Sequence, residues 1–183
     1  LILDRNITDK IARAAGDLNG MTVFEIGPGP GGLTRSLLAA GAEKVIAVEF
    51  DPRAVAALEE LSVAAQGRLQ VVHADALALD LVALAPEAKR AIVANLPYNI
   101  ASPLLLRWLE QIRHDAGAFS FMLLMFQKEV ATRLAAVPGG KEFGRLSVMA
   151  QWLCGVRRAF DLPPSVFVPP PKVTSSIVHF TPR

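Results

Sequence analysis

What most constrains this chain is a series of short, nearly uninterrupted apolar runs, each ending in glycine or a polar residue. Met21–Ile26 runs into Gly27, Lys44–Glu49 closes on its acid, Leu69–His73 is followed by Ala74-Asp75, and Ala91–Ala94 runs into Asn95. A fifth run spans Phe119–Met125. Runs of about four to eight apolar residues without polar alternation read as strands buried on both faces. The intervals between them carry helical signals. Leu33–Ala40 is stopped by Gly41, Asp51-Pro52 supplies a cap and a first-turn proline, and Ser102-Pro103 caps a helix reaching about Arg113. Gln127–Ala136 is a further helix, ended by Pro138-Gly139-Gly140. Ahead of the first strand, Ile7–Ala15 has helical apolar spacing, with Thr8 and Asp9 as plausible caps.

Near the end, Gly155–Leu162 and Ser175–Phe180 read as two more strands joined by the proline-rich loop 163–171. The alternation predicts an α/β fold: a doubly wound, mostly parallel seven-stranded sheet with helices on both faces and an antiparallel hairpin at one edge. The 183 residues suit one domain, 1–183, with 52% hydrophobic residues and a mean hydropathy of +0.36. No run approaches the roughly 20 residues of a membrane span. The start, Leu1-Ile2-Leu3-Asp4-Arg5, turns charged too early for a secretory signal, and a first residue other than Met points to a fragment or processed product. The lone Cys154 lies in an apolar stretch and reads as a buried residue in a reducing compartment. Three scattered histidines and no Cys/His cluster argue against a metal. A net charge of +2 permits a nucleic-acid partner without requiring one.

Strand ends on the carboxyl edge of an open α/β sheet are where ligands bind. At the first of these, Glu25-Ile26-Gly27-Pro28-Gly29-Pro30-Gly31-Gly32 contains the G-x-G-x-x-G pattern of Gly27, Gly29 and Gly32. Alone it leaves nicotinamide dinucleotide and S-adenosylmethionine both open. Three details favour the sulfonium. Glu25 would attract an ammonium and repel a pyrophosphate, and Pro30 lacks an N–H for an anion. Asp75 adds an acceptor for an adenine amine to the ribose acid Glu49. Each acid taken singly reads as readily as a solvated strand end, and Asp51 as a helix cap.

At the fourth strand end stands Asn95-Leu96-Pro97-Tyr98. The Asn95 side chain and the Leu96 carbonyl offer two acceptors beside the aromatic plate of Tyr98. That set suits a planar base with an exocyclic amine; a plain polar turn is the alternative.

Three stretches together, Glu25–Thr34, Asn95–Leu104 and Phe167–Val178, resemble the ribosomal RNA adenine N6,N6-dimethyltransferases of the KsgA type, a family with the Rossmann-like class I methyltransferase fold. The resemblance implies S-adenosylmethionine as cofactor and N6 amines of small-subunit ribosomal RNA adenines as acceptors. It also implies a cytoplasmic, monomeric enzyme working on the pre-ribosomal small subunit away from membranes. Cofactor contacts would come from Glu25, Gly27, Gly29, Glu49, Phe50, Asp75, Ala76 and Asn95. Catalysis would rest on Asn95, Leu96 and Tyr98, with Phe167 opposite Tyr98 to hold the base. Lys172, Arg107 and Arg145 lead the RNA-binding candidates, followed by Arg113, Lys128, Arg133 and Lys141. The family also carries a cofactor-covering segment before this start and a C-terminal helical domain, and neither is expected here. Rival readings are the resistance methylases of large-subunit RNA, a non-catalytic assembly or nucleic-acid-binding protein, and an NAD-dependent oxidoreductase.

Overall fold

The computed structural model describes residues 2–140 and 144–183. In chain order the elements are β1 (Ile2–Leu3), α1 (Arg5–Ala14), β2 (Met21–Ile26), α2 (Gly32–Ala39), β3 (Lys44–Glu49) and α3 (Pro52–Ala64). Then come β4 (Leu69–His73), a 3-10 turn at Ala76–Ala78, α4 (Leu81–Leu84), β5 (Lys89–Asn95), α5 (Tyr98–His114), β6 (Phe121–Gln127) and α6 (Lys128–Leu134). The last are α7 (Arg145–Leu153), β7 (Cys154–Leu162), β8 (Phe167–Val168) and β9 (Ser175–Pro182). Seven strands make one sheet in the order β4-β3-β2-β5-β6-β9-β7. The pairs from β4 to β6 are parallel, and β9 runs antiparallel to both β6 and β7. This is the expected doubly wound sheet with its antiparallel edge.

The apolar runs need no polar alternation because helices cover both faces. Successive side chains leave a strand on opposite sides, so each run feeds two cores. Phe24, Ile46, Ile92 and Leu124 pack with Leu105, Trp108 and Leu109 of α5. Val23, Val45, Val93 and Leu123 pack with Ile11 of α1, Leu37 of α2 and Leu58 of α3. Each such fully buried side chain contributes about 1.5–3 kcal/mol.

Several local expectations are corrected. Helix α1 starts at Arg5, because Asp4 accepts the Asn6 N–H at 2.8 Å and caps it. Thr8 and Asp9 lie inside the helix and accept from Ser36 of α2, at 2.8 and 2.7 Å. Helix α5 starts at Tyr98, with Pro97 at its cap and Pro103 inside it. The Ser-Pro pair mimics a helix start, but Leu-Pro six residues earlier provides it. Helix α7 and the two-residue pairing of β1 with β8 carry too little periodicity to be read in advance. Lys141 lies outside the described residues.

Candidate active site

The chain winds outward from β2 through β3 to β4, then returns to lay β5 on the other side of β2. The reversal leaves a crevice between the ends of β2 and β5, the position where open α/β sheets take ligands. Two loops meet there. The glycine loop follows β2, and Asn95-Leu96-Pro97-Tyr98 closes β5. They touch at Gly27, which has φ +67, a conformation side chains disfavour. A Cβ there would stand 3.5 Å from the Asn95 carbonyl oxygen and 3.6 Å from Pro97 Cδ. The two motifs therefore lie side by side at Gly27, where the left-handed φ rather than crowding calls for glycine.

A narrow cleft at this junction is lined by Glu25, Gly27, Asn95, Leu3, Thr8 and Pro30, among others. Glu25 is 1% exposed and accepts a hydrogen bond from the Thr34 hydroxyl. Burial pushes its pKa up to about 8; the Thr34 bond opposes this and the charge of Glu49 adds to it. A buried acid with a single hydroxyl partner favours its ionised form once a cation enters the cleft. The cleft thus fits the ammonium of an amino-acid tail.

Glu49, at the end of β3, accepts from the Gly29 N–H at 3.2 Å through one oxygen. The other oxygen accepts from Phe50 and Asp51 N–H at 2.8 and 3.0 Å. This carboxylate ties the glycine loop to the next strand, with acceptor capacity left for a hydroxyl. Phe50 beside it is 71% exposed, and its carbonyl lies 3.0 Å from His73 Nε2. One strand further, Asp75 caps the 3-10 turn through the Leu77 N–H at 3.0 Å, and Ala76 is 7% exposed. The acids stand in a row along the edge with an exposed aromatic ring between them, an arrangement that fits a nucleoside.

On the β5 side, Asn95 is half-buried, Leu96 is 1% exposed and Tyr98 is half-buried. The Tyr98 hydroxyl lies 2.6 Å from Ser175 Oγ, fastening the motif to the end of the proline-rich loop. Phe167 is placed differently from expectation. It is 2% exposed, shares the α1–α3 core with Leu162 and Ile177, and is paired through β8 with Leu3. Strand pairing and burial turn the ring inward, so it presents no open face here.

The basic candidates also separate. Arg107 donates to the Leu77 carbonyl behind the turn that follows Asp75, so it braces that turn and is not a free surface cation. Arg113, Lys128 and Arg133 form ion pairs with Glu110, Asp161 and Glu129. Lys172 is exposed in the proline-rich loop. Arg145 is exposed at the start of α7, beside an apolar groove carrying Leu106, Val148 and Trp152. Thr34 and Ser175, the partners of Glu25 and Tyr98, went unremarked in the sequence, although each lies within a motif quoted above.

The ribosomal RNA adenine dimethylase model matches residues 1–183. The chain belongs to the ribosomal RNA adenine dimethylase family. The ribosomal RNA small subunit methyltransferase A of Rhodospirillum rubrum is 56% identical over 182 residues, which cover 100% of this chain and 62% of that protein. A dimethyladenosine transferase from Plasmodium falciparum superposes with a TM-score of 0.85 at 35% identity, over 100% of this chain and 63% of that one. The 23S rRNA methyltransferase ErmE superposes at 0.83 with 30% identity, over 100% and 70%. The fold is thus that of the class I methyltransferases. The chain spans about three fifths of the length of its small-subunit relative.

Proposed function

We propose that this member of the dimethylase family transfers methyl groups from S-adenosylmethionine to the N6 amine of adenines in small-subunit ribosomal RNA. The meeting of Gly27 and Asn95 in one lining carries the reading, because it sets a cofactor loop and an amine-binding motif against one cleft. The 56% identity to a small-subunit methyltransferase A, against 30% to a 23S enzyme, favours the small subunit.

When bound, the cofactor supplies a methyl group on a positively charged sulfur, whose departure as a thioether needs no acid. Glu25 holds the ammonium of its tail, Glu49 its ribose hydroxyls and Asp75 its adenine amine, with Phe50 and Ala76 flanking the base. The remaining difficulty is the acceptor, whose lone pair is delocalised into the ring. The Asn95 side-chain oxygen and the Leu96 carbonyl would accept from the adenine amine and hold its lone pair out of the ring plane, which is catalysis by position and fixed dipoles, and the proton displaced from the methylated nitrogen passes to water. Tyr98 stacks on the extruded base, worth about 1–3 kcal/mol. Lys172 and Arg145 meet RNA phosphates. The protein acts as a cytoplasmic monomer on the pre-ribosomal small subunit.

Labelled methyl transfer to small-subunit particles lacking the modification, with large-subunit RNA alongside, tests the assignment. Asn95→Ala should keep S-adenosylhomocysteine binding in calorimetry and lose transfer by about 100-fold. Equal loss of binding and transfer would remove Asn95 from the reacting centre.

A further inference from the structure

The cleft does not end at Glu25. It shares Leu3, Thr8, Pro30 and Gly32 with a second cavity of about 340 Å³. That outer cavity is lined additionally by Arg5 and Arg35. The two spaces therefore adjoin at these four residues, with a buried acid lining the inner one and two arginines the outer one.

The two arginines come from different helices held in fixed relation. Ser36 of α2 donates within the interface with α1, where Thr8 and Asp9 stand, and Thr8 and Ser36 are 2% and 3% exposed. Arg5 is 76% exposed and its Nε lies 3.9 Å from Asp9, beyond hydrogen-bond range. Arg35 is exposed on α2. Both guanidiniums keep donors in reserve.

An amino-acid tail carries two opposite charges. Glu25 answers the ammonium; a carboxylate drawn in beside it is repelled unless a donor or a cation meets it. Guanidinium is suited to this, since its planar fork matches a carboxylate with paired hydrogen bonds. We propose that Arg5 and Arg35 bind the carboxylate of the methyl donor's methionine end, opposite the ammonium site at Glu25. This rests on the methyl-donor reading above. It assigns to the donor two arginines that would otherwise pass as surface charge.

The test is calorimetry of the protein with two ligands, S-adenosylhomocysteine and its decarboxylated analogue, the 3-aminopropylthio derivative of adenosine. Both carry the ammonium, and only the first carries the carboxylate. Arg5→Ala/Arg35→Ala should weaken S-adenosylhomocysteine by about 10- to 100-fold and leave the analogue within about twofold. Melting temperatures should match the parent, since both side chains are exposed. Unchanged affinity for both ligands, or equal loss of both, overturns the proposal. So does a double variant that loses only small-subunit RNA affinity, which would give the arginines to the RNA. Failure of the parent protein to bind either ligand would instead sink the methyl-donor reading beneath it.

Discussion

Glu25→Gln exchanges a carboxyl for an amide of nearly equal volume at a site with 1% exposure. In the folded protein burial holds the carboxyl's pKa near 8, against 4.5 for the free group. Between those values the native state keeps a proton that the unfolded chain has released. Stability then falls as pH rises, by about 1.4 kcal/mol per pH unit at full effect and about 5 kcal/mol across the interval. Below 4.5 both states are protonated, above 8 both are ionised, and the contribution is flat on either side. Asp161, whose carboxyl is held below its ordinary range chiefly by the Ser176 hydroxyl, acts only at lower pH. Urea unfolding at pH 5, 6, 7 and 8 should show the parent losing stability through this window. The glutamine variant should lose that slope and become the more stable protein at pH 8, because its amide oxygen still accepts from Thr34. A parent that is flat from pH 5 to 8, or a variant with the parent's slope, would refute the argument. S-adenosylhomocysteine affinity should likewise climb with pH up to about 8 in the parent and not in the variant.

Gly27→Ala places a Cβ 3.5 Å from the Asn95 carbonyl in a left-handed conformation, and should cost about 1–2 kcal/mol, read as a lowered melting temperature. Trp108→Ala empties a site 1% exposed beneath the sheet and should cost about 3–5 kcal/mol in chemical unfolding. Tyr98→Phe removes the 2.6 Å link to Ser175 for about 1 kcal/mol of stability while keeping the ring. Methyl transfer should therefore survive Tyr98→Phe and collapse in Tyr98→Ala; similar activity in both would remove the stacking role.

The central strands were legible because local chemistry defines them. Val45-Ile46-Ala47-Val48 stops at an acid and Met21–Ile26 at a glycine, and β3 and β2 end at those points. The row of Glu49, Asp75 and Asn95 follows once the strands are parallel, since equivalent ends share an edge. What the sequence hid depends on distant partners. Thr8 and Asp9 resemble caps until Ser36 is seen to need them. Phe167 resembles an exposed clamp residue until Leu3 pairs with it, and Arg107 a surface cation until the Leu77 carbonyl appears beside it. No spacing rule encodes such contacts, because each joins segments far apart in the chain.

The short pairing of Leu3 with Phe167 matters for anyone handling this protein. Ile2 and Leu3 pair with the start of the segment leading to Lys172, and Leu3 itself lines the cleft. Whatever is attached on the amino side therefore lies beside that cleft. At the other end, the Arg183 N–H meets the Leu153 carbonyl and its guanidinium the Gln151 carbonyl, at the sheet edge away from the cleft. A purification handle attached after Arg183 starts clear of the cleft.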